Sequence, residues 1–269
     1  MPTFAEQGYG ERTVLADKPQ HALSAPALQT QMAGFNLNRD CVLPPDSEHR
    51  QFRLKLADKS FVKVRQRINS SEDLKRWLNF FNPTDVYVSV STWLNPEAVS
   101  ARNITKTGRS PKAGWKQADL VLLGSNYFAD FDAKDYVNGL QGAFRVMLGM
   151  WELLKQKDFK DFVFVRTGKG FQLWTFGVYQ SLPKKIPRVK DRLDYVERAK
   201  KKLTTELAAK LEVQYAAELK RKEFAADYPQ SRNTLQIGRV WGSVHNNGTV
   251  VEWAKNPFTK KLLFPEVVK

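Results

Sequence analysis

The chain has 269 residues, 42% of them hydrophobic and 12% aromatic, enough to bury a sizeable core and too apolar for a disordered basic tail. Lysine and arginine outnumber the acids 43 to 28, and the formal net charge of +15 points to a polyanionic partner. Nucleic acid is the first candidate; a merely basic protein and an anionic membrane surface are the alternatives, although the sequence shows no apolar run of transmembrane length and no signal peptide.

Cys41 is the only cysteine, which excludes a disulfide within the chain and fits a reducing compartment. One cysteine and three scattered histidines (His21, His49, His245) cannot assemble the usual ligand set of a structural zinc site.

Residues 1 to about 45 show no clear period and carry several Pro, Gly, Gln and Ala residues, so an arm is expected there and one domain over 46–269. Phe52, Leu54 and Leu56 alternate with Arg53 and Lys55, and a polar turn at 57–60 leads into 61–65, a hairpin signature. Ser70-Ser71-Glu72-Asp73 supplies an N-cap and an acidic first turn for a helix with Leu74, Trp77, Leu78 and Phe81 on one stripe, stopping before Pro83. Residues 86–90 read as a strand, 100–118 as a basic loop, and Leu120-Val121-Leu122-Leu123 as an apolar run. Tyr136, Val137, Leu140, Phe144, Met147, Leu148 and Trp151 predict an amphipathic helix, followed by strands at 162–165 and 171–178 around a glycine turn. Residues 188–226 read as strongly helical, with Leu193, Val196, Leu203, Leu207, Leu211 and Leu219 apolar, before β character returns over 235–253. The fold class is therefore α+β, with a helical excursion late in the chain.

Three polar motifs punctuate this order. In Asp130-Phe131-Asp132 the two acids lie one residue apart, so in a strand both leave the same face, roughly 6–7 Å apart. Carboxylates so placed can bridge two divalent ions about 3.5–4 Å apart, the arrangement that neutralises a triphosphate. Taken alone, the pair reads first as an acidic strand end or as Asp132 capping the next helix. Thr167-Gly168-Lys169-Gly170 lets backbone approach a ligand, with Arg166 and Lys169 adding charge. It lacks P-loop spacing, and a hairpin turn with a basic tip explains it as well. Arg239, Ser243 and His245 combine a cation, a hydroxyl and an imidazole suited to phosphate or ribose, while a lone histidine is more often structural.

In this order the motifs resemble the catalytic small subunit of archaeal and eukaryotic DNA primases, the archaeo-eukaryotic primase superfamily. The resemblance runs over roughly residues 49–255. Asp130-Phe131-Asp132 is similar to that family's first metal motif, and 167–172, with Trp174 after it, to its Ser-Gly-x-x-Gly-x-His nucleotide loop. Residues 239–245 resemble its phosphate-binding motif, and Asp227 stands at the spacing of its third metal-binding aspartate ahead of Arg239. Gln172 replaces the expected histidine, keeping a donor and losing the charge, and Arg166-Thr167 replaces the usual Ser-Gly. With no zinc knuckle possible, the pattern is that of a divergent or minimal member, of the kind a virus or plasmid would carry.

The resemblance implies mixed or antiparallel sheets flanked by helices, with a helical insertion before the third motif. It implies DNA-templated primer synthesis by a primase or primase-polymerase, with a gap-filling or end-joining polymerase and a catalytically inactive nucleic-acid-binding relative as alternatives. Asp130, Asp132 and Asp227 would hold two Mg²⁺ or Mn²⁺ ions, without zinc. Arg65, Thr167, Gly168, Lys169, Gln172, Arg239, Ser243 and His245 would bind nucleotide. Single-stranded DNA and nucleoside triphosphates are the expected partners, beside a primase large subunit or replicative helicase and without a membrane. The expected location is the cytoplasm, at a replication site, or the host cytoplasm for a viral or plasmid protein. The basic residues of 100–118 and 184–222 are candidates for template contact, though each is more simply a solvated charge.

Overall fold

A computed structural model describes residues 41–99, 121–176, 189–221, 236–243, 251–261 and 263. The early hairpin forms as β1 (Phe52–Lys55) and β2 (Phe61–Lys63), antiparallel, with Leu54 opposite Val62. Asp58 Oδ1 accepts from the amide and hydroxyl of Ser60 and holds the turn. Helix α1 (Ser71–Phe81) starts with a reciprocal cap: Ser70 Oγ accepts from the Asp73 amide, and Asp73 Oδ2 accepts from the Ser70 amide. It ends at Asn82, whose left-handed backbone (φ 43°) turns the chain just before Pro83.

Two four-stranded antiparallel sheets carry the fold. The first has the order β2-β1-β3-β9, with β3 at Asp85–Ser89 and β9 at Ile237–Arg239. The second has the order β10-β7-β8-β6, from β6 (Tyr127–Asp132), β7 (Phe162–Arg166), β8 (Gly170–Thr175) and β10 (Glu252–Trp253). Strand alternation divides their apolar residues between two cores. Phe52, Leu54, Val86 and Val88 of the first sheet meet Phe128, Val163, Val165 and Trp174 of the second, together with Leu74 and Leu78 of α1. On the other face of the second sheet, Tyr127, Ala129, Phe131, Phe164, Phe171 and Leu173 pack against α2 (Leu140–Lys155) and α3 (Val189–Gln214). No helix among the described residues is long and apolar enough to cross a membrane.

Several expectations shift. The helix after the aspartates begins at Leu140, not at Tyr136, because Ala133–Asp135 forms a 3-10 turn and Gly139 (φ 56°) breaks the path. Tyr136 instead bridges to Leu219, which lies beyond the end of α3 at Gln214 and so is not one of its helical positions. The long helix expected before the third motif forms as α3, and its Leu203, Leu207, Ala208 and Leu211 complete the core with Phe144, Met147 and Met150. Within the expected arm, Cys41 is already buried and Val42 pairs with Trp241. The loop at 100–118 lies outside the described residues.

A small ladder of β4 (Ser91–Trp93) and β5 (Leu122–Ser125) joins the sheets, since β3 leads into β4 and β5 into β6. The strands cross where the Asn126 amide donates to Val90 O at 3.2 Å. A buried polar cluster fills the crossing. Arg50 donates to Ser89 O, Val90 O and Pro45 O, and its guanidinium lies over Phe176. Lys200 Nζ, from α3, sits 2.6 Å from Ser125 Oγ, itself 2.8 Å from Ser91 Oγ. Burial lowers Arg50 only to about 10, so it stays charged at neutral pH, while burial lowers Lys200 to about 7.

Candidate active site

Asp130 and Asp132 end β6, both half-buried, while Ala129 and Phe131, which alternate with them, are fully buried against the helices. The apolar alternation thus sends both carboxylates off the opposite face, beyond Phe128. Asp130 stands directly across the ladder from Gln172, which in turn faces Val165, so acid and amide share this face. Asp132 is opposite Gly170, where a Cβ would lie 2.0 Å from Phe131 O; only glycine lets β8 start there.

The 167–170 segment is a two-residue hairpin turn. The Thr167 amide donates to Gly170 O at 3.0 Å, and Gly168 takes the positive φ (80°) such a turn needs. Thr167 is buried and Lys169 exposed at the tip, whose carbonyl accepts from the Ala133 amide, one residue past Asp132. The basic tip therefore lies beside the acid pair. Arg166 pairs with Phe171 and leaves the helix-side face, so it adds its charge on the other side of the sheet.

Gln172 is almost fully buried, and its Oε1 accepts from the Arg239 amide at 3.4 Å, tying the edge of the first sheet to the second. The approach is close because residue 238 is glycine: a Cβ there would lie 2.0 Å from Trp174 Cζ2. Arg239 therefore sends its side chain to the opposite face of its sheet. Its Nε lies 3.4 Å from Asp85 Oδ1 and its guanidinium 5.6 Å from the Tyr87 ring centre. Ser243 is also buried, its hydroxyl donating to Val240 O. Arg65 is exposed just past β2, at the far edge of the first sheet from β9. Asp227 and His245 lie outside the described residues. The structure thus gathers Asp130, Asp132, Lys169 and Gln172, with the backbone of Arg239.

It also brings in Lys134, which the sequence did not single out, and Lys220, which it marked only among the basic residues of 184–222. Lys134 Nζ lies 3.1 Å from Asp132 Oδ2; its pKa is raised by that hydrogen bond first, then by the charges of Asp132, Asp135 and Asp130. Lys220, 86 residues on, donates from Nζ to Lys134 O and from its amide to Asp135 O. Burial is the first cause raising the Asp135 carboxyl pKa, with Asp132 adding to it and Lys134, Lys220 and Arg221 opposing it. The position of Lys134, two residues past the acids, was a usable signal; nothing local marks Lys220.

Among the described residues no three Asp, Glu, His or Cys side chains cluster as a metal site. The pair of carboxylates is nevertheless the hard-oxygen donor set suited to Mg²⁺ or Mn²⁺, which usually keep waters and take substrate phosphates as further ligands.

No protein-family model matches the chain, and no curated protein does so either. Among solved structures, the chain is similar to the polymerase domain from Mycobacterium tuberculosis Ligase D in complex with DNA, at 15% sequence identity and a TM-score of 0.48, over 77% of this chain and 74% of that one.

Proposed function

We propose that the chain is a divalent-metal-dependent nucleotidyltransferase that makes primers on single-stranded DNA, as a primase or primase-polymerase. The observation that carries this reading is the placement of Asp130 and Asp132 on one half-exposed face, with Gln172 across the ladder and lysines at the rim. Acids alone would repel a triphosphate; acids ringed by cations suit a site that takes metal and polyphosphate together. Asp130 and Asp132 would hold the metal; the resemblance adds Asp227 to that set and His245 to the nucleotide contacts. Bound there, Mg²⁺ or Mn²⁺ would activate the attacking hydroxyl and stabilise the leaving oxygen. Gln172 offers a carboxamide N–H₂ on the face of Asp130, and Lys169 a charge at the hairpin tip. The net charge of +15 supports a DNA partner through counterion release.

One observation favours a second reading, a nucleic-acid-binding relative without the chemistry. Arg239 and Ser243, both expected on phosphate, are engaged within the protein by Asp85 and Val240 O. A primer-synthesis assay on single-stranded DNA decides, using labelled ribo- and deoxyribonucleotides with and without Mn²⁺. Products starting from two nucleotides support the primase reading. Extension of a supplied primer alone indicates a gap-filling or end-joining polymerase, and DNA binding without incorporation indicates the inactive relative.

A further inference from the structure

Lys134 pairs with Asp132, and Lys220, from a segment far away in sequence, joins the backbone of Lys134 and Asp135 just past the acid pair; the fold fixes the two unequally. Lys220 is set by its backbone. Its amide donates to Asp135 O, Leu219 bridges to Tyr136, and the Val137 amide donates to Glu218 O. Glu218 tightens the same join by accepting from Asn138 Nδ2 and Arg145 NH1. The Lys134 side chain is 76% exposed, and its ammonium is held by Asp132, whose side chain is 40% exposed. An ion pair that open is weak, and the long lysine stem retains many rotamers. A divalent cation competing for the same carboxylate oxygen has twice the charge. Once Lys134 is displaced, two ammonium groups stand at one rim with Asp132 neutralised, a place that calls for an anion.

We propose that Lys134 is an exchangeable counter-ion: its ammonium occupies Asp132 until a divalent metal takes the carboxylate, and it then passes to the nucleotide's phosphates beside Lys220. This rests on the metal-site reading above and extends it to two cations. The exchange would offset the charge of Asp132 while the site is unloaded and make metal and nucleotide binding mutually supportive. A lysine that merely sat nearby would do neither.

The test measures Mn²⁺ binding to the full chain by the paramagnetic resonance of unbound Mn²⁺, then binding of a fluorescent nucleoside triphosphate at saturating Mn²⁺. Lys134→Met should tighten Mn²⁺ binding about twofold to fivefold, the range of an exposed ion pair, and weaken triphosphate binding at saturating metal. Lys134→Arg should track the wild type in both. Lys220→Met, which removes the same charge without touching a carboxylate, should weaken triphosphate binding and leave Mn²⁺ affinity within about twofold. Unchanged or weaker Mn²⁺ binding in Lys134→Met overturns the exchange. So does equal tightening in Lys220→Met, which would reveal a general field effect. Wild-type protein that binds no Mn²⁺, or binds it as well after Asp132→Ala, would instead remove the metal-site reading itself, and the exchange with it.

Discussion

Arg239 Nε lies 3.4 Å from Oδ1 of Asp85, a carboxylate with no exposed surface, while the amide of the same arginine donates to Gln172 across the gap between the sheets. One residue therefore serves both sheets with different atoms. Its backbone closes the site side, and its charge compensates a buried acid on the far side. Lys55 Nζ, 3.9 Å from Asp85 Oδ2, shares that second task. A guanidinium so engaged is withheld from a phosphate on the Asp130 face unless the pair opens.

Replacing Arg239 with Met should therefore cost stability first. Removing one member of a buried pair costs about 3–5 kcal/mol, and the remaining Lys55 and partial exposure of Arg239 reduce this to roughly 1–3 kcal/mol. Urea unfolding of Arg239→Met, Asp85→Asn and the double variant should show a coupling of about 1 kcal/mol or more. Additive losses, with nucleotide binding reduced, would mean that the guanidinium works on phosphate instead.

Asp130→Ala and Asp132→Ala should each abolish nucleotide incorporation while thermal unfolding and DNA binding stay near wild type. Both side chains leave a half-exposed face, so truncation opens no cavity in either core. Activity within tenfold of wild type in either variant would reject the two-metal reading, since metal-bound carboxylates supply several kcal/mol of transition-state stabilisation.

The elements set by local patterns were legible in the sequence: the capped helix at Ser70, the 52–65 hairpin, and the alternation that isolates Asp130 and Asp132 from Ala129 and Phe131. The misreadings have a common cause. Tyr136 and Leu219 fit a helical period on either side of true helix ends, but each is claimed by the other from far along the chain, a pairing no window contains. Lys220 is brought to the Lys134 carbonyl by that same long-range bridge. Nor did the third motif show that the Arg239 guanidinium lies against a buried acid in β3, where the strand's alternation sends it. Contacts of that kind are set by tertiary packing, which the motif spacing does not encode.

The close docking of the sheets depends on Gly238. An added Cβ would meet Trp174 Cζ2 at 2.0 Å, Cη2 at 2.7 Å and Phe128 Cε2 at 3.0 Å, with Trp174 fully buried. Gly238→Ala should cost about 1–3 kcal/mol or more, because β9 or the indole must move in a packed core. Movement of β9 also withdraws the Arg239 amide from Gln172, so nucleotide affinity should fall with stability. Gly238→Ala combined with Trp174→Phe should lose less than the sum of the single changes in urea unfolding. Strict additivity would show that the indole is not what limits the approach.

Lys200 predicts a pH signature for the joint between the sheets. It is wholly buried, its Nζ meets only the Ser125 hydroxyl among the described residues, and burial lowers its pKa from 10.5 to about 7, with Glu197 raising it and Arg50 lowering it. Below about pH 7 the lysine is protonated in folded and unfolded chains alike, so its cost to folding is full and independent of pH. Between about 7 and 10.5 the unfolded chain holds one proton more than the folded one, so stability rises with pH, by up to about 1.4 kcal/mol per pH unit. Lys200→Met removes this contribution, whatever else it does to the packing around Ser125. Urea unfolding of both proteins between about pH 6 and 9.5 should then show a difference that is flat at first and shifts in favour of the wild type above about pH 7. A difference that stays constant over the whole range would mean that Lys200 keeps its proton in the folded chain, stabilised by a charge or water the joint would then have to contain.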